Sequence, residues 1–198
     1  MNTEQACQLV DLLRKQNITL ESGLTDEEVE LIETKYAICL PPDLRLLLQT
    51  ALPVFKGFPN WRLALRSPEE YSEILSQLDW PWEGMVFDME HNNFWLKEWG
   101  VRPETKEEQI RIARQFYDSW PRLIPMYIHR YIPSTPPEAG IPIFSVHQMD
   151  IIYYGMDLAD YLSCEFKFAL AGNFIIPEKP KPIPFWGPWA ELEPGADF

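Results

Sequence analysis

Residues 141–162 read IPIFSVHQMDIIYYGMDLADYL, and the period of the apolar positions changes partway along. Pro142 to His147 and Ile151 to Tyr154 have the short, β-branched and aromatic character of strands. Gln148-Met-Asp150 separates them, so the pair reads as an antiparallel hairpin. Gly155 ends the second strand and Asp157 then caps a helix, with Asp160 at its third position. Leu158, Tyr161, Leu162 and Phe166 recur at helical spacing and point inward, and Gly172 is the expected stop.

Upstream, Ile124 to Tyr131 alternates as a strand does, and Ser134 to Gly140 is a proline-rich connection. WRLAL, residues 61–65, offers one more strand. Everything earlier is helical in pattern. Ala6, Leu9, Val10 and Leu13 form one stripe over residues 4–16. Thr25 and Glu28 make a capping box ahead of Val29, Ile32 and Tyr36. Pro41 and Pro42 open a third helix carrying Leu44, Leu47, Leu48 and Ala51. Ser67 and Glu70 form a second box ahead of Tyr71, Ile74, Leu75 and Leu78. Thr105 and Glu108 form a third, leading a helix to about Trp120 whose inner side is Ile110, Ala113, Phe116, Tyr117 and Trp120. Helices, then strands, then a helix define an α+β class: an antiparallel sheet flanked by helices, with a helical N-terminal half.

The chain has 198 residues, 19 prolines against nine glycines, and a formal charge of -13. Proline removes an amide donor, so stiff loops are expected and long sheet interiors are not. Direct nucleic-acid binding is excluded as an expectation, because phosphate contacts need Lys and Arg to replace counterions. An acidic surface attracts basic proteins instead. Cys7, Cys39 and Cys164 are odd in number and widely spaced, which predicts buried reduced thiols and a cytoplasmic location. No stretch has the ~20 apolar residues of a membrane span.

Candidate chemistry centres on FDMEHNNFWLKEWG, residues 87–100. Asp88, Glu90 and His91 could bind a metal or move protons. However, His91, His129 and His147 show neither HxH nor HExxH spacing, so no metal site is expected. Ser145 lies in no G-x-S-x-G elbow, and the single glycine of YGMDLAD is followed by two acids that repel phosphate. Hence no catalytic residue and no cofactor is expected. Asp88 and Glu90 read as surface acids, and Trp95 and Trp99, four apart, as a shared face. Tryptophans dominate interface energetics. Asp88, Glu90, Trp95 and Trp99 are therefore the expected partner-contact face. A metal-assisted hydrolase using His91, Asp88 and a distant histidine is the alternative from another class. The tail from residue 177, which includes PFWGPW, is too proline-rich for helix or sheet. Phe185, Trp186 and Trp189 are expected to plug it onto the domain.

LTDEEVELIETKYAICLPPDLRLLL, residues 24–48, resembles the N-terminal signature of the SUKH superfamily, the Smi/Knr-like group. EGMVFDMEHNNFWLKEWGVRP, LIPMYIHRYIP and the 141–162 stretch are similar to a bacterial branch of that group. The resemblance spans about residues 20–170. It implies one Smi/Knr-like α+β domain, residues 1–176, with residues 177–198 as an added arm. It also implies a non-enzymatic role. Many bacterial members are immunity proteins that neutralise toxins, often nucleases, and fungal members are regulatory scaffolds. The expected partner is a protein, a basic toxin in the immunity reading; the alternative within the resemblance is a regulatory scaffold with no toxin partner.

Overall fold

The computed structural model describes residues 1–191; the end of the expected arm, residues 192–198, lies outside the described residues. The class is α+β. Helix α1 (Thr3–Lys15) buries Ala6, Leu9, Val10 and Leu13. Asn2 caps it by accepting from the Gln5 amide, while the Gln5 side chain accepts from the Asn2 amide. Helix α2 (Asp26–Tyr36) starts at the expected Thr25–Glu28 box. Helix α3 (Pro42–Thr50) packs against α1. The segments before α2 and after α3, β1 (Leu20–Ser22) and β2 (Ala51–Pro53), pair antiparallel, a ribbon too short to betray itself by alternation.

Residues 61–65 do not form a strand. Helix α4 (Trp61–Ala64) takes its place, with the Asn60 side chain accepting from the Leu63 amide and Trp61 buried edge-on against Tyr36. The Ser67 hydroxyl accepts from the Glu70 amide to start α5 (Pro68–His91). This helix has 24 residues, about 36 Å at 1.5 Å each, and continues past the Tyr71–Leu78 stripe to take in residues 87–91 of the candidate stretch.

Pro81 lies inside α5 and is buried. A proline there has no amide to give the carbonyl four residues back, which is that of Gln77. The Tyr131 hydroxyl donates to the Gln77 oxygen at 2.9 Å and fills that vacancy from across the core. Tyr131→Phe is therefore expected to cost about 1–2 kcal/mol, the penalty for an orphaned buried acceptor. In a Pro81→Ala background, whose restored amide serves the same carbonyl, the cost should fall by at least about half. Urea unfolding of the four proteins measures this, and strictly additive costs would refute the shared carbonyl.

Helix α6 (Lys106–Tyr117) lacks the expected third box: the Thr105 side chain makes no capping bond, and the helix stops at Tyr117, before Trp120. The region read as one strand, Ile124 to Tyr131, is two, β3 (Leu123–Tyr127) and β4 (Arg130–Pro133). The alternation continues across a two-residue turn, Ile128-His129, which has no Gly, Asn or Asp to mark it. The hairpin of β5 (Ile143–His147) and β6 (Asp150–Gly155) is as expected, and the sheet order is β3-β4-β5-β6, all antiparallel. Helix α7 (Leu158–Phe166) is capped by Asp157, which accepts from the Asp160 amide, and it ends at left-handed Lys167 rather than at Gly172.

Proline richness does not prevent a last helix, α8 (Trp186–Ala190). It lies against β6. The Trp186 indole donates to the Pro121 carbonyl and that of Trp189 to the Met149 carbonyl, so both rings are interior. The three cysteines are exposed, contrary to expectation. Cys7 lies off the buried stripe of α1, Cys39 in the α2–α3 loop and Cys164 on the outer side of α7. Among the described residues no helix is long and apolar enough to cross a membrane.

Candidate functional site

Helix α5 has two working faces. Ile74, Leu78, Pro81, Met85 and Asp88 are buried. Glu73, Gln77, Trp80, Gly84, Phe87 and His91 follow at alternating steps of four and three, which puts them on one other stripe. Midway along that stripe the helix clamps the β5–β6 turn. A Cβ on Gly84 would lie 2.6 Å from the Gln148 Cα, so only glycine admits the turn. One turn further, the Asp88 carboxylate accepts from the Met149 amide at 2.9 Å and from the Asn92 side chain.

Toward its N-terminus the same helix borders an open cleft of about 820 Å³. Glu70, Glu73, Gln77, Trp80 and Glu83 line it from α5. Ile128 and His129 enter from the β3–β4 turn, and His147, Asp150 and Ile152 from the β5–β6 hairpin. His147 and Asp150 are paired in register, as are Ser145 and Ile152, so these four share a sheet face. Lys56, Gly57 and Phe58 close one side.

Four carboxylates, Glu70, Glu73, Glu83 and Asp150, stand against one lysine in this lining. Burial pushes the His129 imidazole below its ordinary range, and the neighbouring Arg130 cation and His147 push the same way against Glu165. Its charged form is disfavoured, and four carboxylates against one lysine give the cleft its negative balance. Arg130 does not offset it, because its charge is paired with Glu165 at 3.1 Å and lies over the Tyr154 ring at 3.6 Å. Arg130 also donates to the Ser145 hydroxyl at 2.8 Å. Three large apolar side chains, Trp80, Ile128 and Ile152, are nevertheless exposed here.

The expected contact face does not assemble. Asp88 is only 7% exposed and Trp99 5%, so neither can meet a partner. Asp88 is interior because 87–91 is helix, which turns it toward the sheet, and both its oxygens are occupied. Trp99 packs among Phe94, Trp95 and Phe116. Trp95 is half-buried and donates to the Gly100 carbonyl. Glu90 alone is on the surface, paired with Lys106 at 3.3 Å.

His91 stacks on Phe87, with ring centroids 4.3 Å apart, beyond the Gly84 clamp. His129 and His147 lie in the cleft. Among the described residues no group of three or more His, Cys, Asp or Glu side chains is placed to hold a metal ion. The cleft residues missed from sequence carry one legible signal, the 73-77-80-84-87-91 spacing, which is visible only once the helix is known to pass through Pro81.

No family model, curated protein or solved structure matches this chain. Its own geometry is therefore what bears on function.

Proposed function

We propose that this protein is a non-enzymatic binding module that captures a basic partner protein in the α5 cleft. The observation that carries the reading is the acid-rimmed cleft with exposed apolar side chains between its carboxylates. Apolar anchors supply affinity, and surrounding charge supplies steering and partner choice. The overall charge of -13 adds a long-range field of the same sign. The SUKH-like stretches, residues 24–48 and 141–162, support a role of the immunity type, in which the partner is a toxin with a basic, phosphate-holding surface.

Affinity capture from producing cells, with the wild type and with a Glu73→Lys/Glu83→Lys variant, tests the reading. The expected partner is rich in Lys and Arg, retained by the wild type and lost by the variant. Its association rate should fall about tenfold from low to physiological salt. Equal recovery by both proteins, or a partner with an acidic surface, overturns it.

A further inference from the structure

We propose that the occupant of the α5 cleft is an extended segment of the partner that lays an arginine on the Trp80 indole, between Glu73 and Glu83, and an apolar side chain against Ile128. This rests on the reading of the cleft as a protein-docking site and names what it recognises.

The first support is Trp80 itself. Among the eight tryptophans it alone is exposed, at 45%, while the others are buried or half-buried. It sits on the cleft side of α5, with Glu83 three residues on and Glu73 two turns back. A large aromatic face beside carboxylates suits a cation that is flat and weakly hydrated. Guanidinium stacks on indole and meets a carboxylate with two parallel N–H donors, which an ammonium cannot do. The fold uses this pairing internally, with Arg114 4.9 Å from the Trp82 ring centre and Arg102 5.8 Å from that of Trp95.

The second support is Ile128. It is 59% exposed and sits at the tip of a two-residue turn with φ +51°. Left-handed backbone is costly for a β-branched residue, of the order of 1–3 kcal/mol. Glycine would form the same turn without strain. Its Cγ1 lies beside Gly57, where an added Cβ would meet it at 3.2 Å. An exposed isoleucine held at such cost makes physical sense as an apolar contact for something else. The cleft volume of about 820 Å³ falls in the range of small-ligand sites, room for a few side chains of an extended segment rather than for a folded surface.

Fluorescence anisotropy with short labelled peptides tests the proposal. The probes are an arginine-leucine peptide, its lysine and citrulline counterparts, an arginine-serine peptide and spermidine as competitor. The arginine-leucine peptide should bind best, with citrulline or serine replacement weakening it about tenfold. Trp80→Ala should weaken it about tenfold with the melting temperature unchanged, since the ring is half in water. Ile128→Gly should weaken binding while the melting temperature stays level or rises, a combination that a purely structural isoleucine would not give. Equal binding of arginine and citrulline peptides, or displacement by spermidine with the same Trp80 dependence and no loss on serine replacement, overturns the proposal. If the captured partner is lost by the Glu73→Lys/Glu83→Lys variant but unaffected by Trp80→Ala, the docking reading stands and the arginine anchor falls. If neither variant affects it, both fall.

Discussion

Trp186→Ala is expected to remove about 4 kcal/mol of folding stability, the largest loss of any single substitution considered. The side chain is 1% exposed and lies edge-on to Trp120 and Tyr117, at 5.4 and 6.3 Å between ring centres. Truncating a buried tryptophan removes its transfer free energy and leaves a cavity, together about 3–5 kcal/mol. The Pro121 carbonyl, which accepts from the indole at 2.6 Å, is orphaned as well. Trp186→Phe keeps most of the ring and loses the donor, so about 1–2 kcal/mol is expected. Urea unfolding followed by circular dichroism measures both. A loss under about 1 kcal/mol for the alanine variant would mean that α8 rests on the domain without completing its core.

Arg62→Leu is expected to cost about 3 kcal/mol and to alter the acid limb of the stability profile. Arg62 projects from α4 and donates to Glu28 at 2.7 and 2.9 Å, to Glu21 at 3.1 Å, and to the carbonyls of Ser22 and Gly23. Both Arg62 and Glu28 are largely withdrawn from water, so removing the cation strands a carboxylate that also caps α2. The hydrogen bonds from Arg62 hold the Glu28 carboxyl below the ordinary glutamate range, with the Thr25 amide adding to this against burial. A carboxylate whose folded pKa is depressed contributes stability that is fully present above its unfolded pKa. That stability is lost as pH falls through the folded value. The wild-type advantage over Arg62→Leu should therefore be full at neutral pH and shrink below about pH 4.3. A gap that stays constant down to pH 3 would show that Glu28 draws nothing from the arginine.

Local signals were legible in the sequence. The α1 stripe, the Thr25–Glu28 box, the β5–β6 hairpin and the Asp157 cap each depend on residues within a few positions of one another. What stayed hidden depends on distant partners. Helix α5 crosses Pro81 because Tyr131, 54 residues away, supplies the missing hydrogen bond. Asp88 is interior because α5 turns it toward the sheet, where the amide of Met149, 61 residues away, donates to it. The β3–β4 turn carries none of the residues that announce such turns, and its isoleucine is strained. The candidate site suffered most. Trp80 carried no signal of its own, and Glu73, Glu83, Ile128 and Ile152 become its neighbours only when α5 lies across the sheet. The chemistry of the cleft was written in the sequence as composition, and its location was not.

Helix α5 is fastened to the sheet on both sides of Trp80, at Gln77 through Tyr131 and at Gly84 and Asp88 through the tip of the β5–β6 hairpin. A rod held at two points is restrained from swinging at Trp80, the part of the slot that lies between them. In the proposed docking the host backbone would be set beforehand, so the backbone ordering entropy of association would fall mainly on the guest. Such a slot would sort its guests by fit rather than by moulding itself to them.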